Sequence, residues 1–283
     1  MAGWLPAAIA AATGGGVVLC HSVFFAPRGL RINRREVVLP RLPQAFDGYQ
    51  ILHLSDLHLG SFAPGAEQVL IAAGLPADLV VVTGDMVERV RDADACGRLL
   101  ASTQSRDGIV CIPGNHDNKA VRRAHGSQEL WETLRSHGIQ TLINGAFAIE
   151  RGGKRLWIVG VDDPHEGKPD VSAAFASVRR GEAAILLAHS PDIASSLPVG
   201  LADLVMTGHC HGGQVRTPWG PIFTRTRRRF PDVLGLQRID GTLYQMSGGL
   251  GSSIPLRFLC PPEATLLRLV APKATARGEP SLP

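Results

Sequence analysis

Leu204-Val205-Met206-Thr207-Gly208-His209-Cys210-His211-Gly212-Gly213 is an apolar run that ends in a glycine-rich turn carrying two histidines. Read as a strand, Leu204 to Thr207 leaves both imidazoles on the loop at its C-terminal end. Open α/β sheets bind their ligands at that edge. A His-x-His pair alone says little, so the reading depends on what other strands bring to the same edge.

Upstream, the chain alternates between short apolar runs and amphipathic segments. Strands are expected at Tyr49–Leu54, Asp78–Thr83, Ile109–Ile112, Ala184–Ala188, Thr242–Met246 and Ala264–Val270. Helices are expected at 65–74, 92–102, 127–137 and 171–180. Gly152-Gly153 marks a hairpin between 146–150 and 155–161. Val37-Val38-Leu39 reads as a first strand. Apolar runs without alternation belong to sheets covered on both faces, so the expected class is α/β with sheets covered by helices.

Composition sets the outer limits. The 283 residues are 45% hydrophobic and 19% charged, which supports a sizeable core and excludes global disorder. A net charge of +4 admits anionic substrates, membranes or nucleic acid without choosing among them. The five cysteines are scattered and contain no Cys-x-x-Cys pair. That argues against a disulfide framework or a cysteine zinc site and fits a reducing compartment.

Residues 1–27 hold no Asp, Glu, Lys or Arg, and 7–25 are almost continuously apolar. That length approaches what ~30 Å of hydrocarbon requires, so 1–27 is a membrane-anchor candidate. Arg28, Arg31, Arg34 and Arg35 follow it, which by the positive-inside rule leaves the remainder on the cytoplasmic face. Residues 28–48 then read as linker and first strand, 49–270 as the main domain, and 271–283 as a disordered tail.

The ends of the expected strands carry Asp56-Leu57-His58, Gly84-Asp85, Gly114-Asn115-His116-Asp117, His189, and the opening pair His209 and His211. Five strands delivering carboxylate, amide and imidazole to one edge describe a ligand-dense site. This mixture suits manganese, iron, zinc or cobalt rather than calcium. A bridging carboxylate with paired ions ~3.5–4 Å apart is the arrangement that activates water and clamps phosphoryl oxygens.

In order and spacing, these five blocks resemble the calcineurin-like metallophosphoesterases: Asp-x-His, Gly-Asp, Gly-Asn-His-Asp/Glu, a lone His and Gly-His-x-His. The resemblance implies a four-layer sandwich of two mixed β-sheets flanked by helices, with a dinuclear metal site at strand C-terminal ends. It implies that Asp56, His58 and His211 hold one divalent ion and that Asn115, His189 and His209 hold the other. Asp85 would bridge them, with manganese the first candidate. His116 would face the substrate as the catalytic residue. A metal-bridging hydroxide would attack phosphorus.

The resemblance extends to membrane-associated bacterial phosphodiesterases and to members that hydrolyse UDP-2,3-diacylglucosamine. The expectation is therefore a hydrolase of lipid metabolism at the bacterial inner membrane, with its catalytic domain in the cytoplasm. The substrate is then a phosphodiester or pyrophosphate on a lipid. Alternatives are a soluble nucleotide phosphodiesterase or nuclease, and a non-catalytic scaffold on the same fold. The complete ligand set opposes the scaffold, and nucleic acid is disfavoured as a partner.

Weaker candidates surround these blocks. Glu88 and Arg89 follow Asp85 at a spacing where some family members support the catalytic histidine or bind phosphate; surface salt-bridging is the ordinary role for such a pair. Arg227 and Arg228 belong to a run of arginines interleaved with Phe223 and Phe230. That run is a solvated face or a contact for lipid phosphate. Asp117 reads as orienting the site. His53, His125, His137 and His165 match no block and read as surface or core histidines.

Overall fold

The computed structural model describes residues 15–62 and 65–273. The tail expectation falls mostly on 274–283 and the anchor expectation partly on 1–14, both outside the described residues.

Two six-stranded mixed sheets face each other. The first runs β1-β14-β2-β3-β4-β5, and the second β12-β13-β9-β8-β7-β6. In the first, β1 (Arg31–Val38), β14 (Glu263–Val270) and β2 (Gln50–Leu54) precede β3 (Leu79–Val82), β4 (Ile109–Cys111) and β5 (Ile139–Thr141). The second comprises β12 (Gly235–Ile239), β13 (Thr242–Met246), β9 (Leu204–Thr207), β8 (Ala183–Leu187), β7 (Lys154–Gly160) and β6 (Gly145–Arg151). The central strands β2, β3 and β4 are mutually parallel, as are β7, β8, β9 and β13. Their ligand-bearing ends therefore point the same way within each sheet.

Side-chain alternation sorts the apolar runs into two faces. Ile51, Leu79, Val81 and Val110 meet Ile158, Ile185, Leu187 and Met206 between the sheets. Leu52, Leu54, Val80 and Val82 point outward under Val69, Leu100, Trp131 and Leu134. Those last residues come from helices Ala66–Ala72, Ala93–Ala101 and Glu129–Ser136. Every residue of Leu79–Val82 is buried, so this central strand needs an apolar side chain at each position.

The outer face of the second sheet packs against Phe175, Ile193 and Ala202. It is covered by the one-turn helix Val171–Ala174 and the 3₁₀ turn Pro191–Ser195 rather than by long helices. The helix expected over 171–180 thus stops at Ala174. The first strand differs too: it starts at Arg31 and pairs with β14 from Arg31↔Glu263 onward. Arg31, Arg34 and Arg35 therefore lie on the sheet instead of on a linker.

Residues 15–20 are helical and continue into a π-helical turn, His21–Phe25. Among the described residues, no helix is long and apolar enough to cross a membrane.

Candidate active site

The loops after β2, β3 and β4 meet those after β8 and β9 at one edge of the sandwich. Asp56, His58, Asp85, His209 and His211 all have φ between 48° and 67°. L-residues other than glycine rarely adopt this left-handed region, which costs roughly 1–2 kcal/mol each. Such strain collects where a sharp turn must aim a side chain. Glycines allow the loops to approach. A Cβ on Gly208 would lie 1.9 Å from Ser55 Oγ and 2.4 Å from Asp56 Oδ2, and one on Gly114 would lie 2.2 Å from the Asp85 nitrogen.

Hydrogen bonds on the far side of the His58, His189 and His209 rings determine which of their nitrogens faces inward. His189 donates from Nδ1 to the Thr83 carbonyl (2.7 Å), His209 from Nε2 to the Arg225 carbonyl (3.1 Å), and His58 from Nδ1 to Glu88 (2.8 Å). The opposite nitrogens keep their lone pairs and converge. His58 Nε2 lies 3.2 Å from His211 Nε2, and His209 Nδ1 lies 3.3 Å from His189 Nε2. Asn115 Oδ1 stands 2.9 Å from His209 Nδ1 and 3.2 Å from His189 Nε2.

At the gap between His189, His209 and Asn115 acceptor faces acceptor, alongside carboxylates. His211 Nε2 is 3.4 Å from Asp56 Oδ1. Asp85 Oδ2 is 3.6 Å from His58 Nε2 and 3.3 Å from His189 Nε2, between the two groups. The buried His211 Nδ1 has no hydrogen-bond partner. Opposed lone pairs within such distances repel unless a cation lies among them, and outer hydrogen bonds like those of His58, His189 and His209 are typical of metal-ligating histidines. The donor chemistry fits two divalent cations. Asp56, His58 and His211 form one candidate metal group, and Asp85, His189 and His209 form another.

Electrostatics follow the same layout. Burial pushes His209 down to about 3, which keeps the ring neutral. His116 is half-buried at the start of helix Asn115–Arg123. Burial disfavours its charge, yet its bond to Glu88 and the charge of Asp85 raise its pKa above the ordinary value. The buried Asp117 carboxylate accepts the N–H groups of Gly114, Met86 and Val87 at 2.9–3.0 Å. It thereby ties the loop after β3 to the loop after β4.

Glu88 takes a larger part than a surface ion pair. One carboxylate oxygen accepts from His58 Nδ1 and the other from His116 Nδ1 (2.9 Å). Arg89 is exposed and lines a shallow groove with Arg91 and Arg123 beside Glu88. The Arg228 guanidinium is engaged with Asp240, and Arg227 is exposed. The backbone N–H groups of Arg227 and Arg228 donate to Asp192.

Two neighbours escaped the sequence reading. His165 stacks on His209 with ring centroids 4.5 Å apart, and its Nε2 lies 3.0 Å from Asp192 Oδ2. The signal available was its place just after Asp162-Asp163-Pro164, at the end of β7. Arg257 is 1% exposed and donates to the carbonyls of Gly248, Gly249, Gly251 and Cys260. It shapes the loop whose Leu250 and Gly251 nitrogens bond the Ser55 and Asp56 carbonyls. His53, by contrast, is a core histidine bonded to Thr83.

The calcineurin-like phosphoesterase family matches the chain over residues 49–213. An uncharacterized metallophosphoesterase of Bacillus subtilis, YkuE, is 28% identical, covering 93% of each chain. The phosphodiesterase YaeI of Escherichia coli is 31% identical over 78% of this chain and 82% of its own. The UDP-2,3-diacylglucosamine pyrophosphatase LpxG of Chlamydia trachomatis is 26% identical over 86% of this chain and 90% of its own.

Proposed function

The chain belongs to the calcineurin-like phosphoesterase family, and from that premise we propose that it hydrolyses a phosphodiester or pyrophosphate bond on a lipid-linked substrate resembling UDP-2,3-diacylglucosamine. The observation that carries the reaction class is the pair of converging ligand groups sharing Asp85. Asp56, His58 and His211 would hold one divalent ion, and Asn115, His189 and His209 would hold the other. Bound there, such ions lower the pKa of water and neutralise charge on phosphoryl oxygens.

The chain's own side chains supply orientation and a proton. Thr83, Arg225 and Glu88 fix the ligand tautomers through the far ring nitrogens. Glu88 anchors His116 at Nδ1, leaving Nε2 to donate to the departing oxygen as a general acid. The bond to Glu88 and the charge of Asp85 raise the His116 pKa, which favours the protonated ring. The glycines after β3 and β9 let backbone, rather than side chains, line the floor.

Two features support a lipid-linked substrate. LpxG, which shares most of its length with this chain, is a pyrophosphatase of a diacylated sugar nucleotide. A groove of about 480 Å³, lined by apolar Val23, Phe24, Phe62 and Pro255 and by polar Arg28 and Gln68, also includes residues close in sequence to the site. Phe62 lies four residues beyond His58, and Pro255 follows Ser253, whose Oγ is 3.2 Å from Glu88. The apolar part of this groove suits an acyl chain. Placement at the cytoplasmic face of the bacterial inner membrane belongs to the same reading.

The test is a substrate panel with added Mn²⁺: a lipid-linked pyrophosphate, cyclic nucleotides and an aryl phosphodiester. Preferential cleavage of the lipid-linked pyrophosphate is expected. Faster turnover of cyclic nucleotides, without dependence on lipid or detergent, would replace this reading with a soluble nucleotide phosphodiesterase.

A further inference from the structure

The turn that carries His209 and His211 runs directly into a small hairpin, Arg216–Thr217 paired with Gly220–Pro221. The tip and exit of this hairpin are apolar and uncovered: Trp219 is 92% exposed, Ile222 66% and Phe223 67%. Three large apolar side chains within five residues, standing off the fold, add nothing to the core. Exposed clusters of this kind mark interaction sites.

The next segment is basic. Arg225, Arg227 and Arg229 are exposed, and among the described residues none of the three forms a salt bridge, whereas Arg228 between them is paired with Asp240. Both pieces are clamped to the catalytic edge. The Arg225 carbonyl accepts from His209, and Asp192 holds the backbone of Arg227 and Arg228. The hairpin also bonds the loop with exposed Ile254 and Leu259, because Arg216 N–H donates to the Phe258 carbonyl and Gln214 to that of Ile254. The backbone of Arg257 in turn donates to Ser22, in the helical stretch that exposes Val17, Leu19, Phe24 and Phe25.

We propose that the hairpin 216–221, with Ile222, Phe223 and the arginines after it, is the surface by which the chain docks on an anionic lipid bilayer. The charge pattern selects this occupant. A tryptophan at a tip with apolar neighbours settles at the headgroup boundary, and unpaired arginines just behind it meet lipid phosphates. Docking in this orientation turns the mouth of the metal site toward the headgroups. That consequence rests on the lipid-linked reading of the site, but the docking itself is measured independently of it.

The experiment floats the full chain with phosphatidylcholine vesicles, with and without phosphatidylglycerol. Binding is expected with phosphatidylglycerol and should weaken as salt rises. Trp219→Ser/Ile222→Ser/Phe223→Ser should bind at least about tenfold more weakly. Arg225→Gln/Arg227→Gln/Arg229→Gln should lose the salt dependence. Brominated acyl chains should quench tryptophan fluorescence in Trp4→Phe and not in Trp4→Phe/Trp219→Phe, a readout that binding through the N-terminal segment, whose tryptophan is Trp4, does not mimic.

Unchanged flotation of the serine variant together with no Trp219-dependent quenching overturns the proposal. So does salt-sensitive binding to an oligonucleotide with no quenching by the bilayer, which would make the surface a nucleic-acid contact. The serine variant should hydrolyse a water-soluble aryl phosphodiester at the parent rate. A parent inert toward every phosphoester would sink the functional reading while leaving the flotation result to stand.

Discussion

The Glu88 carboxylate accepts one hydrogen bond from His58 and another from His116, so one side chain fixes the tautomer of a candidate metal ligand and of the candidate acid. Glu88→Gln keeps the volume but can accept from only one of the two rings. At saturating Mn²⁺ its kcat should fall about 10–100-fold, and its metal affinity by a similar factor, as for the loss of other partners of metal ligands. Steady-state kinetics beside a metal titration read both; parent values in the two assays would return Glu88 to the surface. His116→Ala separates the roles differently. Turnover should drop about 10²–10⁴-fold, the usual range for a lost general acid, while bound metal measured by elemental analysis stays at the parent level. Asp85→Asn should lose metal and activity together, since its Oδ2 faces His58 and His189 at once.

Among the elements, the loop 247–253 depends on Arg257. This buried guanidinium reaches four backbone carbonyls, and the loop in turn bonds the backbone of Ser55 and Asp56. Arg257→Met should destabilise the fold by about 3 kcal/mol, from orphaned acceptors and lost charge-assisted bonds. Arg257→Lys should rescue little, because an ammonium lacks the planar fork that spans these carbonyls. Denaturant unfolding measures both. This dependence was hidden in the sequence, where nothing in Ile254-Pro255-Leu256-Arg257 marks the arginine as buried. The apolar runs of β2, β3, β8 and β9 were legible because burial on both faces demands them. Helix Asn115–Arg123 was not. Its residues, Asn-His-Asp-Asn-Lys-Ala-Val-Arg-Arg, carry no apolar stripe, and the segment is held by Asp117 accepting the Gly114 N–H at its start. Strand β12 and the hairpin 216–221 escaped for a related reason: their pairing partners, rather than their own composition, define them.

Across the whole molecule, the candidate ligands were readable as five blocks because each requires a particular residue at a fixed offset from a strand end. Their mutual placement was not, because it depends on two sheets packing with their ligand ends together. Asp56, His58, Asp85 and Asn115 come from loops of one sheet, and His189, His209 and His211 from loops of the other. Metal held between them therefore joins the two sheets, and its binding free energy adds to the stability of the folded state alone. At a free concentration 100 times Kd, one site contributes about 2.7 kcal/mol. For a domain of this size that corresponds to a rise in Tm of about 5–10 °C. Thermal unfolding with Mn²⁺ against a chelator should show this gap in the parent and in His116→Ala. In Asp85→Asn and Gly208→Ala it should close. The first removes the shared carboxylate; the second drives a Cβ into Ser55 and Asp56. Equal melting of the parent with and without metal would mean that the converging histidines do not gather a cation between the sheets.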